Sequence, residues 1–203
     1  LEGSDKMQIL KLLTRLRQLC LEPRLVYDNI DQPSSKLKAC MELIKTMQEN
    51  KQKVLLFSSF TSVLDLIAEE CQKAGITYYM LTGSTSKEDR RELVSRFQKD
   101  DTTVFLISLK AGGTGLNLTS AETVIHFDPW WNVSAQNQAT DRAYRIGQKN
   151  NVQVFNLVMK DSVEEKIIEL QKRKKELADM FVENNSGGLS QMSKEDILSL
   201  FTM

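Results

Sequence analysis

Three polar side chains recur at helical spacing in the stretch QNQATDRAYRIGQK, which covers residues 136–149. At about 100° per residue, Gln138, Arg142 and Arg145 fall within roughly 60° of one another on a helix surface. Guanidinium groups bind phosphate oxygens through two parallel hydrogen bonds, and an arginine supplied in trans can stabilise the charge that develops in phosphoryl transfer. The spacing therefore indicates a helix that presents phosphate-binding side chains.

A second stripe, of small and apolar residues, lies roughly 90° to one side of the first. It consists of Ala135, Ala139, Ala143 and Ile146, and it would allow the helix to pack closely on a core. A surface ion pair with Asp141, worth a few tenths of a kcal/mol, is a simpler explanation for Arg145. It does not explain Arg142, whose neighbours four positions away are Gln138 and Ile146.

A glycine-rich stretch, SLKAGGTGLNLTSA, occupies residues 108–121 directly after a predicted strand. Three glycines in four positions allow successive backbone N–H groups to converge on an anion, and Lys110 favours phosphate as that anion. An ordinary turn explains the glycines equally well, because the stretch matches neither the dinucleotide nor the P-loop pattern. No G-K-S or G-K-T occurs in the chain. We therefore expect that this chain does not itself cradle the phosphates of a nucleoside triphosphate.

Two shorter loops, FSSF (57–60) and LTGSTS (81–86), also follow predicted strands, and each could be an ordinary connection to a helix. In DPWWN (128–132), core packing of the tryptophans is favoured over base stacking. His126 lies inside the apolar run TVIHF, which favours a structural role over metal binding. The basic run at residues 172–175 is more typical of a solvated helix face than of a nucleic-acid contact.

The composition limits the class of protein. The 203 residues are 41% hydrophobic, and 27 basic side chains balance 27 acidic ones, so any anion-binding surface must be local. Three cysteines without a C-x-x-C pair indicate small buried hydrophobes in a reducing compartment. Because no apolar run approaches 18 residues and no signal segment opens the chain, we expect an intracellular protein without membrane spans. No pattern of metal ligands occurs.

Apolar runs that are rich in branched and aromatic residues predict five strands, at residues 54–58, 77–81, 104–108, 123–127 and 152–158. Helical periodicity covers residues 62–74, 86–99 and 134–146 between them. This alternation predicts right-handed crossovers and a parallel α/β sheet with helices on both faces. Ligands of such sheets bind at the loops that follow the carboxyl ends of the strands.

Helical patterns also flank this core, at residues 4–20, 34–49, 162–181 and 193–201. Ser62, Ser86 and Ser162 each precede an acidic residue by three positions, which predicts helix N-caps. The predicted organisation has N-terminal helices in residues 1–50, an α/β core in residues 51–160, and a long helix with a short terminal helix in residues 161–203.

Four stretches occur in order, each after a predicted strand: LLFSSF, LTGSTS, ISLKAGGTGLNLTSA and QATDRAYRIGQ. Together they closely resemble the second RecA-like lobe of superfamily-two helicase-related ATPases, specifically the SWI/SNF-type DNA translocases. The pattern Q-x-x-D-R-x-x-R at residues 138–145 matches the sixth motif of that family, and residues 108–121 match the fifth. Two departures are small: Tyr144 stands where a histidine is common, and Val133 where a proline is common.

The resemblance implies a RecA-like parallel sheet of about five or six strands with helices on both faces and flanking brace helices. ATP and Mg²⁺ would be bound mainly by an N-terminal RecA-like lobe of the same protein. Arg142 and Arg145, with Gln138, would be catalytic and reach the γ-phosphate. The implied nucleotide-binding positions are Gly115, Asn117 and Asp141. The implied contacts to the backbone of double-stranded DNA are Ser59, Gly83, Ser84, Lys110 and Gly112.

These implications describe half of a monomeric ATP-dependent DNA translocase or remodeller, located in the nucleus of a eukaryote or in the cytoplasm and nucleoid of a prokaryote. The chain alone would not hydrolyse ATP, because its sequence has no P-loop. A noncatalytic nucleic-acid-binding or docking module with the same fold is the alternative. The arginine stripe argues against it, and a G-K-[ST] loop upstream in the reading frame would distinguish the two.

Overall fold

The computed structural model describes residues 3–112, 116–130, 132–141 and 151–183. In these residues five strands form one sheet: β1 (Val54–Ser58), β2 (Tyr78–Leu81), β3 (Val104–Ser108), β4 (Thr123–His126) and β5 (Gln153–Asn156). Their order is β2-β3-β1-β4-β5, and every pairing is parallel. The predicted α/β class is therefore confirmed, and all five predicted strands are present.

Seven α-helices and one short 3₁₀ helix (Pro23–Leu25) accompany the sheet in the described residues. The α-helices are α1 (Gly3–Leu21), α2 (Ser35–Glu49), α3 (Thr61–Lys73), α4 (Lys87–Lys99), α5 (Leu109–Gly112), α6 (Val133–Thr140) and α7 (Val163–Glu183). The helix predicted for residues 134–146 is seen as α6, and residues 142–146 of that prediction lie outside the described residues. So does the helix predicted for residues 193–201. None of the described helices is both long and apolar enough to cross a bilayer.

The sheet is covered on both faces, as its apolar strands require. Alternate residues of the central strands enter two clusters, because successive side chains of a strand point to opposite faces. One cluster joins Leu56 and Leu106 to α1, α2 and α3. The other joins Phe57 and Phe105 to α4 and α6, through Phe97 among others. The helices that precede residue 50 thus complete the core, and the predicted division of the chain at residues 50 and 160 stays a prediction.

The cysteines behave as buried hydrophobes. Cys40 and Cys71 have no exposed surface, and burial raises the pKa of both thiols, that of Cys71 to about 12. Cys20 is half-buried, and all three are free thiols. The prediction of small buried hydrophobes is confirmed for Cys40 and Cys71, and the reducing compartment stays a prediction.

The three predicted N-caps have different outcomes. Ser86 caps α4, since its hydroxyl accepts a hydrogen bond from the Asp89 N–H at 3.1 Å. Ser162 accepts from the Glu164 N–H at 3.1 Å in the same way. The prediction for Ser62 is wrong, because α3 begins at Thr61 and Ser62 lies inside the helix. Phe60 holds the N-cap position without a side-chain hydrogen bond. The Phe60 N–H instead donates to the hydroxyl of Ser58, at the end of β1.

A buried ion pair fastens the long C-terminal helix to the core. Lys36, in the first turn of α2, donates to both carboxylate oxygens of Glu164, in the first turn of α7, at 2.6 and 2.7 Å. Glu164 also accepts a hydrogen bond from the Met159 N–H at 2.7 Å. Farther along α7, the Gln171 amide donates to the Trp130 carbonyl. The contacts with Lys36 and with Trp130, made across long sequence separations, set the position of α7.

Candidate functional site

The strand order places the predicted site loops side by side. Gly83 and Ser84 follow β2, Lys110 follows β3, and Ser59 follows β1, and these three strands are neighbours in the sheet. The register pairs Leu81 with Ile107 and Ser58 with Ser108, so the three strands end level with one another. Helix α6, which carries Gln138, follows β4, the next strand. The structure therefore brings most of the predicted site residues to the side of the sheet where the carboxyl ends of the strands lie.

Ser59 is held in a network that the sequence did not reveal. Asp128 has only 1% of its surface exposed and accepts from the Ser58 hydroxyl at 2.7 Å and from the Ser59 N–H at 3.0 Å. Its other carboxylate oxygen accepts from the Ser59 hydroxyl and from the Arg17 guanidinium, the latter at 2.9 Å. Arg17 also donates to the Ser59 hydroxyl at 2.8 Å. The loop after β1 is thus held by hydrogen bonds to the buried carboxylate of Asp128 and to the guanidinium of Arg17 on α1.

Arg17 and Asp128 are the two site-supporting residues that sequence reasoning missed. They are separated by 111 positions, so no local spacing connects them. The only sequence signal is that each lies in a conspicuous stretch: Arg17 in LLTRLRQLC and Asp128 at the start of DPWWN. Because the Ser59 hydroxyl donates its one hydrogen to Asp128 and accepts from Arg17, it could donate to a ligand only by giving up its hydrogen bond to Asp128.

The loop after β2 is open to solvent. The Thr85 N–H donates to the Thr82 carbonyl at 3.2 Å and closes a turn around Gly83 and Ser84, both of which are exposed. The hydroxyls of Thr82 and Ser84 are 2.8 Å apart. A Cβ atom added to Gly83 would meet no atom within 4 Å. The fold itself therefore does not require a glycine at this position.

The loop after β3 combines an exposed cation with a tightly packed backbone. Lys110 is exposed on the short helix α5, while Ala111 is buried and its carbonyl accepts from the Arg90 guanidinium at 3.0 Å. Gly112 ends α5, and Gly115 lies outside the described residues. Asn117 is exposed beside α4, where its carbonyl accepts from the Gln98 amide at 2.7 Å.

Helix α6 agrees with the predicted faces at one position of each stripe in the described residues. Ala139 is buried in the core, whereas Gln138 and Asp141 are exposed. The packing role of the small stripe is thus confirmed at Ala139. Arg142 and Arg145 lie outside the described residues, so the direction of their side chains stays a prediction.

Two side-chain hydrogen bonds hold α6 against the ends of β4 and β5. The Gln136 amide donates to the Asn156 side-chain oxygen at 2.8 Å. His126 Nε2 lies 2.9 Å from the Thr140 hydroxyl, which itself donates to the Gln136 carbonyl. The hydroxyl therefore accepts a hydrogen bond from the Nε2–H of neutral His126. This arrangement fixes the described part of the helix that was predicted for residues 134–146.

His126 has the structural role that its apolar surroundings predict. It stacks on Phe57, with ring centroids 5.6 Å apart, and meets the edge of Trp130 at 5.7 Å. Burial lowers the pKa of His126 to about 4. Trp130 is buried in the core, as predicted, and Trp131 lies outside the described residues.

Acidification should destabilise the chain through His126. An unfolded histidine titrates near pH 6.5, whereas the folded one stays neutral to about pH 4, so the unfolded state binds more protons between these values. Stability is complete above pH 6.5, and we expect about 2 kcal/mol to be lost by pH 5. Urea unfolding at pH 7.5 and pH 5 would measure the loss. His126→Gln keeps a donor near Thr140 but cannot titrate. An equal loss of stability between pH 7.5 and pH 5 in that variant would show that His126 is not its cause.

Comparison with known proteins is consistent with this geometry. Residues 35–147 match the family model described as helicase conserved C-terminal domain. The chain is 38% identical over 202 residues to an uncharacterized ATP-dependent helicase of Mycoplasma pneumoniae, covering 99% of this chain and 20% of the relative. It is 35% identical over 214 residues to the ISWI chromatin-remodeling complex ATPase ISW1 of Saccharomyces cerevisiae, covering 97% and 19%. The chain thus spans about a fifth of the length of these relatives.

Among solved structures, the chain is similar to the Sulfolobus solfataricus SWI2/SNF2 ATPase core in complex with double-stranded DNA. The TM-score is 0.75 and the sequence identity 32%, over 98% of this chain and 43% of that one. The similarity therefore includes α1 and α7 as well as the sheet.

Proposed function

This chain belongs to the SWI/SNF-type ATP-dependent helicases, as a helicase conserved C-terminal domain, and from that premise we propose that it is the second motor lobe of a double-stranded DNA translocase. The observation that carries the proposal is the strand order. The loops after β2, β3 and β1, which carry the candidate DNA contacts, lie side by side, and α6 with Gln138 follows β4 next to them. Loops at the carboxyl ends of the strands would thus contact both the DNA and the nucleotide.

In this proposal the preceding lobe binds ATP and Mg²⁺, and this lobe closes over the nucleotide. Among the described residues, no three His, Cys, Asp or Glu side chains form a cluster suited to a metal ion, so we assign no magnesium ligand to them. Gln138, Arg142 and Arg145 face the γ-phosphate, and Gly115, Asn117 and Asp141 line the nucleotide side. The exposure of Gln138 and Asp141 supports this assignment, because neither side chain is used in the core.

The candidate DNA contacts favour backbone recognition. The exposed residues after β2 and β3 offer backbone N–H groups, a hydroxyl and an ammonium, which are groups that hold phosphates. The Arg17–Asp128 pair fixes the position of Ser59, whose hydroxyl would turn from Asp128 to donate to a phosphate. We therefore propose DNA binding that is independent of base sequence, and translocation that results from ATP-driven motion between the two lobes. The isolated chain should not hydrolyse ATP, because its sequence has no P-loop.

DNA binding by this chain tests the proposal. We expect weak, sequence-independent affinity for duplex DNA that falls as salt rises, because bound phosphates release counterions. Lys110→Ala should make the slope of log affinity against log salt shallower by about 0.9, the value of one phosphate contact. Fluorescence anisotropy across a salt series measures the slope. The matched control is Lys45→Ala, which removes an exposed lysine from α2, away from the loops of the site. A strong preference for one DNA sequence, or equal slopes for the two variants, would contradict the proposal.

A further inference from the structure

A buried carboxylate lies directly beside one of the proposed DNA contacts. Asp128 is 1% exposed, and one of its oxygens accepts from the hydroxyl of Ser59. Ser59 itself is half-buried, so a ligand could reach this hydroxyl from solvent. A phosphate oxygen that accepted the hydroxyl hydrogen would lie within about 5.5 Å of the carboxylate, because two O–H···O distances of about 2.7 Å would separate them. Two negative charges at this distance repel each other unless a cation compensates one of them.

Arg17 is the cation that compensates this carboxylate. Its Nη2 atom donates to Asp128 at 2.9 Å and to the Ser59 hydroxyl at 2.8 Å. Among the described cations, Arg17 alone lies within ion-pair distance of Asp128. Lys36 acts on the same carboxylate only at longer range and is itself bound by both oxygens of Glu164. Arg17 therefore neutralises the acid at the point where a phosphate would approach.

The guanidinium of Arg17 is fixed in place. It lies over the Phe60 ring, 4.9 Å from the ring centroid, and only 12% of the side chain is exposed. Its Nη2 atom also donates to the Pro129 carbonyl at 3.4 Å. The guanidinium is thus held both by the loop after β1 and by the segment after β4, and it could not move out to a phosphate without breaking these contacts. Arg17 therefore suits a role that acts through Ser59 and not a direct contact with DNA.

We propose that Arg17 is a positioning residue for DNA binding, which neutralises Asp128 and so allows the Ser59 hydroxyl to turn from that carboxylate to a phosphate. The inference rests on the proposed function and deepens it, since it gives α1 a role at the loop after β1. When the hydroxyl turns, Asp128 loses one hydrogen bond but keeps that of Arg17, and the Ser59 oxygen still accepts from Arg17. Without Arg17, the carboxylate would retain the hydroxyl hydrogen and repel the phosphate.

The test measures the binding of duplex DNA by the protein together with its preceding lobe. Arg17→Met should weaken binding about tenfold, the loss expected for one hydrogen bond to a charged group. The slope of log affinity against log salt should stay unchanged, because Arg17 does not itself neutralise a phosphate in this proposal. If Arg17 contacted a phosphate directly, the slope would become shallower by about 0.9, and that result would overturn the positioning role. Fluorescence anisotropy across a salt series measures both quantities.

A second substitution tests whether Arg17 acts through the carboxylate. Arg17→Met/Asp128→Asn removes the cation and the acid together. It should recover most of the lost DNA affinity, because no uncompensated carboxylate then lies beside the phosphate. A double variant that binds DNA as weakly as Arg17→Met would overturn the proposed neutralisation.

The matched control for a merely structural effect is Arg24→Met. Arg24 pairs with Glu22 at 3.0 Å, and the two side chains are 18% and 1% exposed, so this pair resembles that of Arg17 and Asp128. Arg24 interacts electrostatically with Glu70 in the last turn of α3, at the other end of that helix from the loop after β1. Arg24→Met should lower the melting temperature as Arg17→Met does and leave DNA affinity unchanged. An equal loss of affinity in both variants would overturn the proposal.

The outcomes separate this inference from the proposed function. If Lys110→Ala makes the salt slope shallower and Arg17→Met leaves DNA affinity unchanged, the positioning role is overturned and the function stands. If Lys110→Ala, Ser59→Ala and Arg17→Met all leave DNA binding unchanged, both are overturned. A weaker affinity of Arg17→Met at an unchanged slope, recovered in the double variant, supports both.

Discussion

Replacing Arg142 or Arg145 by lysine in the complete two-lobe protein is expected to reduce DNA-stimulated ATP turnover by about a thousandfold or more. An interaction accelerates the reaction only if it is stronger in the transition state than in the ground state. The charge on the departing γ-phosphate grows in the transition state, and a guanidinium can bind two of its oxygens where an ammonium offers a single point charge. ATP and DNA affinities should therefore change far less than turnover.

Steady-state ATP hydrolysis with saturating duplex DNA, together with melting temperatures, measures this effect. The ion-pair explanation of Arg145 makes a different prediction, namely a loss of a few tenths of a kcal/mol in stability and normal turnover. Arg173→Lys is the matched control for that explanation, because Arg173 pairs with Glu169 four residues earlier on α7 at 2.7 Å. If the stripe variants behave like this control, the arginines have no catalytic role.

Removing the charge of Glu164 is expected to lower the free energy of unfolding by about 3–5 kcal/mol. The side chains of Glu164 and Lys36 are only 1% and 4% exposed, so Glu164→Gln would leave an ammonium buried without a counter-ion. Burial lowers the pKa of Lys36 even with Glu164 present, because loss of solvent disfavours the charged ammonium. An unfolded lysine stays protonated to a higher pH than the buried Lys36. The loss of stability in Glu164→Gln should therefore shrink as the pH rises toward the pKa of a free lysine.

Urea unfolding of the single variants and of the double variant Lys36→Met/Glu164→Gln completes a cycle. The double variant should recover much of the loss, because it leaves no buried charge. Glu169→Gln is the control, since Glu169 is exposed on the same helix. A loss below about 1 kcal/mol in Glu164→Gln would be typical of a surface pair and would contradict the buried-pair interpretation.

Several features of this protein are determined by its sequence. The central strands β1 and β3 follow from apolar runs that suit burial on both faces, and their observed bounds equal the predicted ones. The start of α4 follows from Ser86, whose hydroxyl satisfies a backbone N–H of its own first turn. The packed side of α6 follows from the spacing of its alanines, as buried Ala139 shows. Each of these depends on neighbours within a few positions, so periodicity and capping residues are sufficient to predict it.

The tertiary structure alone decides how these pieces form a site. Strand order makes neighbours of β2, β3 and β1, although other elements separate them in the chain. The edge position of β5 leaves Val154 exposed, although its apolar run resembles that of a buried strand. Arg17 reaches Asp128 across 111 positions, and Lys36 reaches Glu164 across 128. Such contacts depend on the path of the chain through the fold, and no local spacing encodes them, because a buried charge can be satisfied by any partner that the fold brings to it.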